Sequence, residues 1–338
     1  MSKKNVSIKD IAELSGVSVA TVSRVINNNG SFSEETRKKV LKVIEETNYE
    51  TNNVAKSLRM KKSNTIGILV PDISNSFFAN VVQEIESYLF EKGYSTIICN
   101  TDRNEEKELA YLRILESKMI DGLIVISGVR EFGMKSMNKN IPLVCIDRKP
   151  KDGKNTILIE SNHYQGGFIA TEEMIAKGSK NIAIIIHRDF LSSSQERLNG
   201  YKDALRKNNI KFQEENVINI TKKKNLTKTE STKEAVLEKF REGITYDGIF
   251  ALNDRLAIGA IHAALEIGLK IPEDIKIVGF DNDPISRYCY PALSTINQDN
   301  LSLAKHACDS LLNLIDYPHT LVEKHQVIPV NFVERETT

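Results

Sequence analysis

Most of the chain alternates short apolar runs with stretches of helical period, and this alternation restricts the possible folds more than any other feature. Between Thr65 and Asp147 four apolar runs are typical of buried strands: TIGILVP, YSTIICNT, DGLIVISG and IPLVCID. Helical patterns near 78–92 and 105–118 separate the first three runs. Strands that alternate with helices in this way predict parallel sheets covered by helices on both faces.

The alternation resumes after Ser161. Predicted strands at 181–186, NVINI, DGIFALN and IKIVGFD alternate with predicted helices at 166–178, 196–208, 231–241 and 254–267. Two such series predict an α/β body of two doubly wound lobes. We expect one lobe at about 64–161 and 293–321, and the other at about 162–292 and 322–338.

The first fifty residues instead predict three short helices. Ser7, three residues before Asp10, resembles a capping box, and Gly16 can end the first helix in the left-handed conformation. Ser18 can cap a second helix that ends at NNNG, and Ser33 begins a third. The predicted fold is therefore a small all-α helix-turn-helix head at 1–63, followed by the α/β body at 64–338.

The charge is distributed unevenly between these two parts. Residues 1–63 carry 12 lysines and arginines against 7 acidic residues, a net charge of +5, whereas the rest carries −4, which gives +1 overall. A basic head on a mildly acidic body suggests that the head meets a polyanion, although a solvated basic surface gives the same pattern. The start of the chain has no apolar signal segment, and no run is long enough to span a membrane, so we expect a cytoplasmic protein.

No enzyme motif is found in the sequence. It contains no GxGxxG, Walker loop, HExxH or GxSxG, and YQGGFIA lacks the glycine spacing of a dinucleotide turn. The six histidines and four cysteines show no metal-ligand spacing and no disulfide framework. We therefore expect a non-enzymatic protein without a metal or a cofactor.

The second predicted helix of the head has two different faces. At about 100° per residue, Val22, Val25 and Ile26 lie within an arc of about 100° and should pack on the first helix. The opposite face carries small and polar residues: Val19 at its edge, Ala20, Ser23, Arg24 and Asn27. Small side chains and a guanidinium suit a helix in the DNA major groove, although an amphipathic helix with a solvated face would look similar.

GVSVATVSRV, at the centre of this head, resembles the most specific motif of the LacI/GalR family of bacterial transcription regulators. The body is similar to that family through IGILVPDISNSFFANVVQEIE, DGLIVISG, ERLNGY, FALNDRLAIGAI and IPEDIKIVGFDN. The resemblance implies that Val19, Ala20 and Arg24 read bases. It also implies further contacts to bases or to the DNA backbone from Ser7, Ser18, Thr21, Ser23, Asn27 and Ser31.

The resemblance further implies a hinge helix at about 52–60 that forms on operator DNA. Its contacting residues would be Asn52, Val54, Ala55 and Leu58, with Leu58 of each subunit wedged into the minor groove. Two heads on a palindromic operator require a homodimer. The chain departs from the family at Thr51, where a proline usually precedes the hinge, so hinge folding should cost more here.

The resemblance makes the two lobes similar to periplasmic sugar-binding proteins, which close on a small molecule. The implied effector-binding residues are Phe77, Phe78, Ser127, Asp147, Arg148, Arg197, Asn253 and Asp281. Carboxylates, amides and guanidinium groups suit the hydroxyls of a sugar, and aromatic rings suit its apolar face. Alternatively, the phenylalanines belong to the core, the arginines form surface ion pairs, and Asn253 and Asp281 are turn residues.

These features predict a repressor of a carbohydrate-utilisation operon, controlled by a sugar or a sugar phosphate. Purine-binding members carry an aromatic residue in place of Arg148 and an arginine in place of Leu191, which disfavours a purine here. Lys222 adds a positive charge that suits a phosphate. A regulator that uses a purine or a protein corepressor, and a sugar receptor without DNA function, are the alternatives.

Overall fold

The computed structural model describes residues 6–47, 49, 62–128, 132, 141–151, 156–187, 192–221, 225–318 and 323–338. The chain divides into two compact units, Met1–Ser63 and Asn64–Thr338. In the described ranges no helix has both the length and the apolar character needed to cross a membrane.

The head consists of three helices: α1 (Ile8–Ser15), α2 (Val19–Ile26) and α3 (Glu34–Thr47). Ser7 and Asp10 form the expected capping box, in which the Asp10 carboxylate accepts from the Ser7 backbone N–H at 2.7 Å. Gly16 ends α1 with φ +69°, and Ser18 caps α2. The fully buried core of the head is small and aliphatic: Ile11, Ala12, Val22, Val25 and Val40.

The first lobe of the body is built on a six-stranded parallel sheet in the order β11-β5-β4-β3-β1-β2. Its elements before the first crossover are β1 (Thr65–Val70), α4 (Ser76–Glu91), β2 (Ser95–Asn100), α5 (Glu105–Ser117), β3 (Gly122–Ile126), β4 (Leu143–Ile146) and β5 (Thr156–Ser161). The central strands are apolar on both faces because helices cover both sides of the sheet.

The second lobe is also built on a six-stranded sheet, in the order β12-β10-β9-β8-β6-β7, which is parallel except for the antiparallel pair of β10 and β12. Its elements are α6 (His163–Ala176), β6 (Ile182–His187), α7 (Ser192–Lys207), β7 (Val217–Ile220), α8 (Lys228–Arg241), β8 (Gly248–Ala251), α9 (Asp254–Glu266), β9 (Lys276–Asp281) and α10 (Ile285–Tyr288). The described residues of both lobes therefore show the predicted doubly wound α/β fold.

The last part of the chain runs back and forth between the lobes. It comprises β10 (Ser294–Gln298), α11 (Asn300–Asp316), β11 (His325–Ile328) and β12 (Val330–Val333). The expected lobe boundaries differ from this path, because β10 joins the second sheet and β11 joins the first. Only Pro329 separates β11 from β12, and a connection this short carries no pattern that assigns either strand to a sheet.

Helices α6 and α7 pack with their backbones in close approach. A Cβ atom placed on Gly167 would lie 2.1 Å from the carbonyl oxygen of Arg197, and one on Gly200 would lie 2.1 Å from the carbonyl oxygen of Tyr164. Only glycine allows this distance. The contact fixes the beginning of α6, with His163, against the turn of α7 that carries Arg197.

Candidate functional site

Helix α2 presents to solvent the residues predicted to contact DNA. Ser7, Ser18, Val19, Ala20, Arg24, Asn27 and Ser31 are exposed, while Thr21 and Ser23 are half-buried. Val22 and Val25 are buried on the opposite side, and Ile26 packs partly against the same core. The structure thus separates the packing face from the solvent face as the sequence predicts.

Several polar groups on this face are held in place by neighbours. The Ser18 hydroxyl accepts from the Thr21 backbone N–H at 3.1 Å, and Asn27 Nδ2 donates to the Ser23 carbonyl oxygen at 2.7 Å. The aliphatic part of Arg24 lies along Gly30, where an added Cβ would be 3.4 Å from Arg24 Cδ. The Arg24 guanidinium therefore projects from a supported stem. The predicted hinge residues Asn52, Val54, Ala55 and Leu58 lie outside the described residues, as do Thr51, Leu191 and Lys222.

In the body, three effector candidates lie where strands end. Ser127, Asp147 and Asp281 follow or close β3, β4 and β9, and all three have positive φ angles, of 47°, 51° and 108°. Such angles are uncommon for residues with a Cβ and cluster at functional sites. The strained positions turn the chain sharply at the carboxyl edges of the sheets, where open α/β folds bind ligands.

A buried polar network joins Asp147 to Arg197 and Asp281. His163 Nδ1 accepts from the Arg197 guanidinium at 3.3 Å, which leaves His163 Nε2 to donate to Asp147 Oδ1 at 2.7 Å. Arg197 Nη2 lies 3.7 Å from Asp281 Oδ1, and Arg197 also donates to the carbonyl oxygen of Leu252. The guanidinium carbon stacks 3.5 Å from the centre of the Phe280 ring. The network brings together three of the predicted effector residues.

Two acidic side chains of the second lobe titrate abnormally. Burial raises the pKa of Asp281 to about 7, although the Arg197 charge and a hydrogen bond from Gln298 oppose this shift. Burial also raises the pKa of Asp254 well above its usual value, and the neighbouring Asp281 charge adds to the effect. Asp254 is held by the Asp283 backbone N–H at 2.7 Å and the Thr295 hydroxyl at 2.5 Å. Carboxyl groups with a shifted pKa in a cleft are typical of functional sites.

Arg148 lies in a different environment from Arg197. Its guanidinium donates to both carboxylate oxygens of Glu108, at 2.7 and 3.1 Å, and its charge lies 4.9 Å from the Phe132 ring centre. The pair is largely buried, with side chains 8% and 17% exposed. The structure therefore shows Arg148 in an internal ion pair, the alternative raised from the sequence, in a buried rather than a surface form.

The remaining effector candidates have structural roles in this arrangement. Phe77 and Phe78 both belong to the core of the first lobe and meet edge to face at 5.4 Å. Asn253 Oδ1 accepts from the Leu256 backbone N–H at 2.9 Å and so caps α9. The observed contacts of these residues lie within their own lobes.

Three residues near the network were not identified from the sequence: His163, Asp254 and Gln298. Gln298 is 2% exposed and donates to Asp281 at 2.7 Å, and its Oε1 has no hydrogen-bond partner among the described residues. It also lines a cavity of about 460 Å³ beside the crossover segments. The other residues that line this cavity are Asn80, Asn282, Pro284, Arg287, Tyr288, Asn297, Asp299 and Asn300. A lone histidine or glutamine carries no sequence pattern that would have identified it.

Two family models match the chain. The model described as bacterial regulatory proteins, lacI family, matches residues 7–52, and a periplasmic binding protein-like domain model matches residues 171–338. The "Ribose operon repressor" of Halalkalibacterium halodurans is 36% identical over 98% of this chain and 97% of its own length. The "HTH-type transcriptional repressor PurR" of Aliivibrio fischeri is 36% identical over 91% of each chain.

Solved structures show the same architecture. The Lac repressor dimer bound to operator and an anti-inducer matches with a TM-score of 0.86 and 28% identity over 99% of both chains. A LacI family transcriptional regulator from Enterococcus faecium with bound ribose matches with a TM-score of 0.69 and 29% identity. That match covers 81% of this chain and 98% of the other.

Proposed function

Because the chain belongs to the lacI family of bacterial regulatory proteins and is a DNA-binding transcriptional regulator, we propose that it is a homodimeric repressor whose operator binding is controlled by a neutral sugar. The sugar binds between the two lobes. The charge of the buried network around Arg197 is the observation that supports a neutral sugar as the effector.

The head reads operator DNA through the exposed face of α2. Arg24 contacts a base edge in the major groove, while the short side chains of Val19 and Ala20 allow the helix to approach the groove closely. Ser7, Ser18, Thr21, Ser23, Asn27 and Ser31 contact bases or the DNA backbone. Two heads related by a two-fold axis bind a palindromic operator in the cytoplasm, and residues 52–60 act as the hinge between head and body.

The cleft favours a neutral ligand over a phosphorylated one. Arg197 is the cation of the network, and the carboxyl groups of Asp147 and Asp281 surround it. Arg148 is already bound to Glu108 through both of its terminal nitrogens. An anionic ligand would therefore approach carboxylates without an available guanidinium to offset its charge. Sugar hydroxyls can instead donate to the carboxylates and accept from Arg197.

Calorimetric titration of the full-length protein with D-ribose and ribose 5-phosphate tests this proposal. We expect ribose to bind with the lower Kd and to change the affinity for operator DNA, measured by gel shift in the same buffer. Stronger binding of the phosphate ester would refute the assignment of a neutral ligand. Hypoxanthine serves as a third ligand, because relatives named PurR are as similar to this chain as the ribose operon repressor is. Its preferential binding would favour a purine-responsive regulator.

A further inference from the structure

Two segments on opposite sides of the cleft touch each other at two points. The first-lobe segment, residues 71–76, comprises the turn after β1 and the first residue of α4. Arg255, in the first turn of α9, donates from Nη2 to the carbonyl oxygen of Ser74 at 2.7 Å. Ser76 Oγ donates to Asp283 Oδ2, just beyond β9. Both contacts join the first lobe to the second.

The two acceptors at these points, the Ser74 carbonyl and the Asp283 carboxylate, are held in place within their own lobes. The Ser74 backbone N–H and hydroxyl both donate to Asp72 Oδ1, at 3.0 and 2.6 Å, which fixes the turn that presents the Ser74 carbonyl. The Asp283 backbone N–H donates to Asp254, and its Oδ1 accepts from the Ile285 backbone N–H at 3.2 Å. Because these groups are already ordered, little conformational entropy is lost when the contacts form.

These contacts lie beside the candidate effector positions. Ser76 directly precedes Phe77, and Arg255 and Asp283 each lie two residues beyond an effector candidate of the second lobe. We propose that the two contacts form an interlobe latch, in which Arg255 and Asp283 are positioning residues that hold the cleft closed and so set the affinity for the effector. The proposal rests on the proposed function, since it requires an effector between the lobes.

The latch acts on affinity through the population of the closed arrangement. When only one arrangement binds the ligand, the apparent Kd equals the intrinsic Kd divided by the fraction of molecules in that arrangement. The Arg255 contact is a charge-assisted hydrogen bond at a partly exposed position, so its loss should weaken closure by about threefold to tenfold. The Kd for the effector should rise by up to this factor, and by the full factor when the open arrangement predominates without ligand.

The Arg255→Ala variant of the full-length protein tests the latch, with D-ribose as the calorimetric probe. We expect a measurably higher Kd than for the wild type, by up to tenfold. Ser76→Ala removes the second contact and should raise the Kd in the same direction. Ser76 is changed instead of Asp283, because Asp283 also holds the backbone N–H of Ile285. Arg206→Ala is the matched control, since Arg206 pairs with Asp203 on its own helix and its side chain is 79% exposed.

Hydrogen exchange without ligand separates the latch from the effector proposal. In the Arg255→Ala/Ser76→Ala double variant, backbone amides of residues 72–80 should exchange faster than in the wild type, whereas those of α2 should not change. If wild-type protein does not bind ribose, the effector proposal fails, and the exchange experiment still tests the latch. Exchange at 72–80 identical in the wild type and the double variant would overturn the latch.

Discussion

Replacing Glu108 by glutamine should destabilise the body, because it leaves the Arg148 guanidinium without its carboxylate. The two hydrogen bonds of this pair, at 2.7 and 3.1 Å, join side chains that are only 8% and 17% exposed. Removing one partner of a buried ion pair costs about 3 to 5 kcal/mol. Glutamine keeps one acceptor oxygen, so we expect the lower end, about 3 kcal/mol, and a melting temperature about 6 to 12 °C lower.

Differential scanning calorimetry of the full-length protein measures this loss. Glu106→Gln is the control, because Glu106 is exposed on the same helix and its replacement should change stability by less than about 0.5 kcal/mol. Combining Arg148→Met with Glu108→Gln should recover most of the lost stability, since it removes the unpaired charge. Equal melting temperatures for Glu108→Gln and Glu106→Gln would refute the reasoning. Arg148 would then be available to an anionic effector, and the neutral-sugar proposal would lose one of its two supports.

Two further predictions concern DNA reading and pH. Arg24→Ala should weaken specific operator binding by about 1 to 3 kcal/mol, because a base contact is lost. Gel shifts should show a smaller loss of affinity for random DNA. An equal loss of affinity for operator and random DNA would contradict the base-reading role of Arg24. Ribose binding should weaken as pH falls through about 7, because Asp281 takes up a proton in this range. The ionised carboxylate accepts hydrogen bonds from sugar hydroxyls better than the protonated acid does. Calorimetry should show this dependence in the wild type and not in Asp281→Asn. The raised pKa of Asp281 affects the stability of the body in the opposite direction. Between the usual carboxyl pKa and about 7, Asp281 is protonated in the folded body and ionised in the unfolded chain, so its contribution to stability increases as pH falls through this range.

The sequence predicts the fold well, because the pattern that defines each element is local. Alternation of apolar runs and helices indicated both doubly wound lobes, and the position of Ser18 indicated the start of α2. The path of the last strands could not be predicted in the same way. Strands β11 and β12 are each four residues long, and their sheets are chosen by partners far away in sequence.

The candidate site was only partly predictable, because many of its contacts also join residues that are far apart in sequence. Strand ends indicated Asp147 and Asp281 as candidates, and the structure places each at the carboxyl edge of its own sheet and links both to the network around Arg197. The partner of Arg148 is Glu108, which lies 40 residues earlier in a helix whose charged residues all look solvated in sequence. His163 connects Asp147 to Arg197 only after the chain has crossed between lobes and α6 has packed on α7. Such contacts depend on tertiary packing and leave no local pattern.

The glycine contact between α6 and α7 limits how the body can respond to a ligand. Because the backbones meet at Gly167 and Gly200 without room for a Cβ, the two helices cannot slide past each other, and His163 and Arg197 must move as one rigid unit. Any displacement within the network therefore falls on its links to the first lobe, above all on the 2.7 Å bond from His163 to Asp147. Together with the contacts of Arg255 to Ser74 and of Ser76 to Asp283, this bond is where movement of the second lobe would be felt by the first.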